Sequence, residues 1–336
     1  MTKLSRISFF LFVSVYNYIW LRMIMFPYFY NEYGSMGIYY IAIIGVVVLL
    51  IFLLIPKAIM KYFYDDAYKK SIFKFFYNTI LLLENIFGIA FCVYLLTKIF
   101  IPTGNFFIML SLITITIVVL SHYKPKDVME LSTLFIILGY AILSLTLFFQ
   151  PNLDTSIFLD FKKTSLWALP LFVFMFIGDN LTFLINKKDI QFSKLNFIMA
   201  IFMALFFFGA EYFILVGNAG DTYFKGLNWV GFISLSIEPI TRYLGNFDFA
   251  YIFYIMICCI FKYAYNLSII RNSIQLNHKL MSGIMLITVF TLGSVCYLCI
   301  PMEDLYMKVV ASLLILSSTL MFWLIKEWYC ARKSKE

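Results

Sequence analysis

Ile177-Gly178-Asp179-Asn180 places a glycine, a carboxylate and an amide in the middle of an apolar run, Leu166 to Ile185. Such a run, about 20 residues, is long enough to cross a hydrocarbon core of roughly 30 Å. A carboxylate at that depth costs roughly 3 kcal/mol or more unless it faces protein, water or a partner, which makes Asp179 a functional-site candidate. Gly178 is the residue at which a helix unwinds most cheaply. The sequence therefore predicts a break there that would offer backbone dipoles to a ligand or ion, with Asn180 beside it. Four other ionisable residues lie well inside apolar runs: Arg22, Glu84, Glu211 and Lys262. Matched by depth, Glu84 can pair with Lys262 and Arg22 with Glu211. Paired charges of this kind can equally be structural glue, with no part in binding. Asp179 is left with no basic partner at its own depth. It is then a candidate for coupling to a proton or cation, the plainer alternative being a hydrogen bond to a hydroxyl or amide on a neighbouring helix.

The elements that must position these residues are membrane spans. The chain is 63% hydrophobic, 20% aromatic and only 13% charged, with mean hydropathy +0.91, against the roughly 25% charged residues of soluble domains. Ten apolar segments fall at about 8–26, 38–55, 75–97, 104–121, 131–150, 166–185, 195–217, 249–270, 281–300 and 307–325. The first is expected to persist as a span, since it has the full core width and lacks a small-residue cleavage site. With both termini in the cytoplasm, eighteen of the 26 Lys and Arg fall on the inner side, six fall outside, and Arg22 and Lys262 lie within spans. That bias supports ten crossings. It also accounts for the net charge of +8 through the anionic inner leaflet, so no nucleic-acid partner is expected. The longest external connection, Gly217 to Asp248, contains Trp229-Val230-Gly231-Phe232-Ile233 and reads as an interfacial or re-entrant helix. An eleventh span there would move Arg271, Lys279 and the basic tail outside.

The six cysteines lie mostly inside apolar runs, and Cys296 and Cys299, though spaced as CxxC, have no further polar ligands nearby. They read as packing residues, and no metal or other cofactor is expected. His122 and His278 both lie in basic loops, where a solvated histidine is the expected state, so catalysis is not expected.

Ten spans divide into two sets of five, and the odd number forces the second set to start on the opposite side of the membrane. The expectation is one all-α transmembrane domain over 1–336, with repeat one at about 8–150 and repeat two at about 166–325, inverted relative to each other. In such folds the first helix of each repeat is interrupted near the midplane, giving a site between the half-helices. Here span six carries the expected break at Gly178-Asp179-Asn180, whereas span one has only Tyr16-Asn17-Tyr18 and Arg22, with no glycine at all.

Four stretches, in order and at matching spacing over almost the whole chain, carry a resemblance. They are Phe26-Pro27 followed by Gly34-Ser35-Met36-Gly37; Pro151-Asn152-Leu153-Asp154 followed by Leu166-Trp167-Ala168-Leu169-Pro170; Phe176-Ile177-Gly178-Asp179; and Ile240 to Asp248 leading into Phe261-Lys262. The chain resembles the B-subunit family of GerA-type spore germinant receptors, a branch of the amino acid/polyamine/organocation (APC) transporter superfamily. The resemblance implies a LeuT-like, APC-type fold in the inner membrane of a dormant spore. It also implies a small nutrient germinant, an amino acid, held between spans one and six, and partnership with a receptor A subunit and a lipoprotein C subunit. Gly178, Asp179, Asn180, Asn17 and Arg22 would line the pocket, while Glu84/Lys262 and Arg22/Glu211 would be scaffold pairs. The sequence departs from the family where Trp20 and Arg22 stand at the positions of a common glycine pair, and where Met129-Glu130-Leu131 replaces a basic residue entering span five. These departures favour a sensing pocket over a transport path. The rival readings are a secondary amino acid or amine transporter of the same fold and, more remotely, a membrane enzyme acting on lipid-linked substrates.

Overall fold

A computed structural model describes residues 3–55, 59, 62, 71–97, 104–148, 154–159, 168–185, 193–220, 247–274, 278–299 and 302–333. Among these residues the regular structure is entirely helical. The helices are α1 (Lys3–Trp20), α2 (Phe26–Tyr33), α3 (Gly37–Leu54), α4 (Ser71–Leu95), α5 (Phe106–Leu120), α6 (Pro125–Phe148), α7 (Ala168–Ile185), α8 (Lys194–Ala219), α9 (Phe247–Ser273), α10 (His278–Cys299) and α11 (Met302–Lys333). Their positions coincide with the ten apolar segments. Most of the expected external helix between Gly217 and Asp248 lies outside the described residues.

Among the described residues, six helical stretches are long and apolar enough to cross a membrane, and three shorter apolar helices accompany them. The distribution of polarity has the same meaning. Leu54, Leu134, Ile72 and Phe75 point outward with most of their surface exposed, while Asn17, Arg22, Glu84, Asp179, Asn180, Lys262 and Asn266 are buried. Apolar outside and polar inside is the arrangement of an integral membrane protein, where lipid replaces water around the bundle.

The first apolar stretch, Arg6–Leu54, is helical over 49 residues, which would reach roughly 73 Å if straight. It is not straight. Tyr18 on α1 and Arg22 just beyond its end meet Glu211 of α8. On α3, Gly37 lies against Tyr212, Gly45 against Leu205 and Phe52 against Phe197. The numbering of α8 falls as that of α3 rises, whereas α1 ascends towards Glu211, so the chain reverses between them. Gly34 makes the turn with φ +52°, a conformation that side-chain-bearing residues rarely adopt. The Tyr212 hydroxyl fixes it by donating to the Gly34 carbonyl at 2.6 Å.

Between α1 and α2 the helix widens to a π turn over Leu21–Met25. The cause is Pro27, which has no N–H for the carbonyl of Met23 four residues back and whose ring collides with it. The irregularity therefore lies in span one. The break expected at Gly178 does not occur, because α7 runs unbroken from Ala168 to Ile185. Gly178 serves close packing instead: a Cβ there would lie 1.9 Å from the Leu314 carbonyl oxygen on α11. Glycine in a span lets two backbones approach, and at this position that use prevails over unwinding.

At the centre, α1 packs against α6, α7, α8 and α9, and α7 against α1, α3 and α11. Helix α4 packs on α9, α10 and α11, and α9 on α4, α5 and α6. The helices α1 and α2 together run antiparallel to α7, with Phe29 beside Phe172, Trp20 beside Phe176 and Phe12 beside Phe183. Gly178→Ala is expected to destabilise the purified protein by at least about 2 kcal/mol through overpacking. Gly283→Ala, where an added Cβ meets nothing within 4 Å, is expected to be near neutral; thermal unfolding in detergent compares the two.

Candidate functional site

Where α1 crosses α7, the side chains of Asn17 and Asn180 form a reciprocal pair. Asn17 Nδ2 donates to Asn180 Oδ1 at 3.0 Å, and Asn180 Nδ2 donates to Asn17 Oδ1 at 2.6 Å. Each Nδ2 also donates to the carbonyl four residues back on its own helix, Val13 at 2.8 Å and Phe176 at 2.9 Å. The pair is thus nearly symmetric, and both residues are fully buried. Buried amides need such partners, since an unmatched amide in an apolar interior costs about 1–3 kcal/mol.

One residue along each helix from this pair lie Tyr16 and Asp179, and between them sits the ammonium of Lys262 from α9. Lys262 Nζ donates to Asp179 Oδ1 at 3.0 Å and lies 3.5 Å from Glu84 Oε1 of α4. It also stands 4.2 Å from the centre of the Tyr16 ring, within cation–π range. All four residues are at most 4% exposed. Asp179, expected to lack a basic partner, is therefore the nearer of the two carboxylates to Lys262. The reason is helix convergence: α4, α7 and α9 bring their charges to a common point, a fact that depth along single helices does not reveal.

The next layer holds this cluster in place. Tyr16 Oη donates to Asn266 Oδ1 at 3.0 Å and lies 3.4 Å from Thr182 Oγ1. Asn266 Nδ2 reaches Asn85 Oδ1 at 3.4 Å, linking α9 to α4 beside Glu84. Below it, Phe12, Phe183 and Tyr265 pack around Tyr16 and close that side with aromatic rings. Asn266 and Asn85 were not picked out from the sequence. Asn266 lies one turn from Lys262 on the same helix face, and Asn85 follows Glu84 directly, so both carried a detectable signal.

Arg22 belongs to a separate network. Its guanidinium meets Glu211 Oε1 at 2.7 Å and lies 4.3 Å over the Phe26 ring. Tyr18 Oη donates to the second carboxylate oxygen at 2.5 Å. Arg22 is completely buried, and Trp20, two residues before it, packs edge-on to Phe176. Of the expected pocket residues, Asn17, Asp179 and Asn180 thus meet at one place. Gly178 faces α11, and Arg22 sits about a turn and a half further along span one, tied to α8.

No protein-family model matches the chain, and no curated protein is significantly similar to it.

Glu211→Ala strands the Arg22 guanidinium and is expected to lower stability by about 3–5 kcal/mol, as for other buried pairs broken on one side. The double replacement Arg22→Met/Glu211→Leu should recover most of that loss. Unfolding of the three proteins in the same detergent measures the difference.

Proposed function

We propose that this chain is a ten-span membrane protein with a 5+5 inverted repeat of the LeuT-like type, acting as a nutrient receptor subunit similar to the B subunits of GerA-type spore germinant receptors. The helix pairings support the repeat. Taking α1 with α2 as span one and α3 to α11 as spans two to ten, exchange of each span with the one five places along pairs α1·α6 with α7·α11 and α1·α8 with α7·α3. It likewise pairs α4·α11 with α9·α6 and α4·α10 with α9·α5. The antiparallel α1/α7 crossing, with its matched amides, fits a twofold relation between the halves.

The observation that carries the functional reading is the buried Lys262–Asp179–Glu84 cluster against Tyr16, at the meeting of the first and third helices of both halves. In inverted-repeat membrane proteins that intersection is where a small solute binds, near the midplane. Charged and polar groups there suit an amino acid, and binding would act by favouring one arrangement of the bundle over another. The side of span one that a solute would pass is filled by Trp20 and by the Arg22–Glu211 pair, which favours sensing over passage. In this reading the protein resides in the spore inner membrane with both termini in the cytoplasm, and works with an A subunit and a lipoprotein C subunit. The rival is a secondary amino acid or amine transporter of the same fold.

Spores lacking the chain are expected to lose their germination response to at least one amino acid, and to regain it with the wild-type chain but not with Asp179→Asn. An undiminished response to every amino acid tested would overturn the receptor reading. In proteoliposomes, no accumulation of labelled amino acids is expected; uptake abolished by Asp179→Asn would establish the transporter instead.

A further inference from the structure

The ammonium of Lys262 is enclosed by groups from three other helices: Asp179 Oδ1 on α7 at 3.0 Å, Glu84 Oε1 on α4 at 3.5 Å, and the ring face of Tyr16 on α1 at 4.2 Å. Helix α9 supplies the tether and, through Asn266, the acceptor for the Tyr16 hydroxyl. Two carboxylates and an aromatic face are a recognition set for a primary ammonium group, with charge-assisted hydrogen bonds on two sides and cation–π attraction on the third. None of these contacts involves the four-carbon stem of the lysine. The set is also built: Tyr16 is fixed by Asn266 and Thr182, and every member is nine-tenths or more buried.

We propose that Asp179, Glu84 and Tyr16 form an ammonium-binding cage of which Lys262 is the resident occupant, and that the ligand of this site is a compound whose primary ammonium displaces Lys262. This rests on the reading of the α1/α7 crossing as the ligand site, and it names the chemistry of the ligand and the switch that reads it. A free ammonium keeps both carboxylates matched, so the cage itself stays satisfied. What changes is the ionic link from α9 to Asp179 of α7 and Glu84 of α4, which exists only while Lys262 is seated, whereas the Asn266–Asn85 hydrogen bond between α9 and α4 does not depend on it. Ligand exchange therefore removes the ionic tie from α9 to α7 and α4, and the displaced Lys262 is left as the neutral amine, its proton passing to solvent, so that no unpaired charge stays in the bundle. A tethered occupant competes at an effective concentration in the millimolar range, so free amines bind the wild-type chain more weakly than a chain lacking the tether.

The test uses the full-length protein purified in detergent, with n-propylammonium as probe, because it supplies the atoms that Lys262→Ala removes. Lys262→Ala is expected to unfold at lower temperature than wild type. n-Propylammonium should raise its Tm saturably and recover at least half of the loss, with an apparent affinity at least about tenfold tighter than on wild type. n-Propanol should do nothing, and the triple variant Lys262→Ala/Asp179→Asn/Glu84→Gln should not respond. The proposal is overturned by no response, by an equal response to n-propanol, by a response that survives in the triple variant, or by equal affinity for wild type. If Lys262→Ala cannot be purified without the amine, recovery in its presence and unfolding on its removal support the cage, while failure in both conditions overturns it. A cage response together with normal germination of spores lacking the chain would keep the ammonium site and discard the receptor role. Loss of germination without a cage response would do the reverse.

Discussion

A charge inside an apolar bundle has to find its opposite inside the same bundle, because lipid offers neither hydrogen bonds nor dielectric screening. Lys262 meets this requirement for two carboxylates at once, Asp179 at 3.0 Å and Glu84 at 3.5 Å. The central packing is organised around that demand. Three helices must bring charged side chains to one point and a fourth must present the Tyr16 ring, which fixes how α1, α4, α7 and α9 approach each other. The amides of Asn17, Asn180, Asn266 and Asn85 then fill the polar surroundings that three charges create.

Span one carries two such networks at different depths. Tyr16 and Asn17 face the Lys262 cluster and α7, whereas Tyr18 and Arg22 reach across to Glu211 on α8. The π turn, Leu21–Met25, contains Arg22 itself and precedes the reversal at Gly34. A widened turn rotates the residues after it relative to those before it, and it needs support from side chains because its hydrogen bonding is poorer. The Arg22–Glu211 pair and the Arg22–Phe26 contact provide that support at the irregular segment itself.

Much of this was legible in the chain. The ten apolar segments predicted helices at the positions where they are found, and the depths of Glu84, Lys262, Arg22 and Glu211 along their spans placed the right charges within reach of one another. Two features were not legible. The carboxylate of Asp179 looked unpartnered because depth along a helix says nothing about which helices converge, and it lies closer to Lys262 than Glu84 does. Gly178 looked like a break because glycine next to a carboxylate permits unwinding. The Leu314 carbonyl, close enough to exclude a Cβ, comes from a helix more than 130 positions later in the chain. Span one, where no break was expected, is instead the irregular one, with a π turn just before Pro27.

Taken alone, the sequence determined that the chain is a helical membrane protein, because hydrophobic length and the scarcity of charge are local properties that need no partner to be read. It also determined which polar residues would be expensive, since a charge in an apolar run is costly whatever surrounds it. The tertiary structure decided how that cost is met: which carboxylate takes the lysine, which glycine admits a neighbouring backbone, and where span one widens and turns back. Those outcomes depend on contacts between residues far apart in the chain, and short-range periodicity contains no information about them.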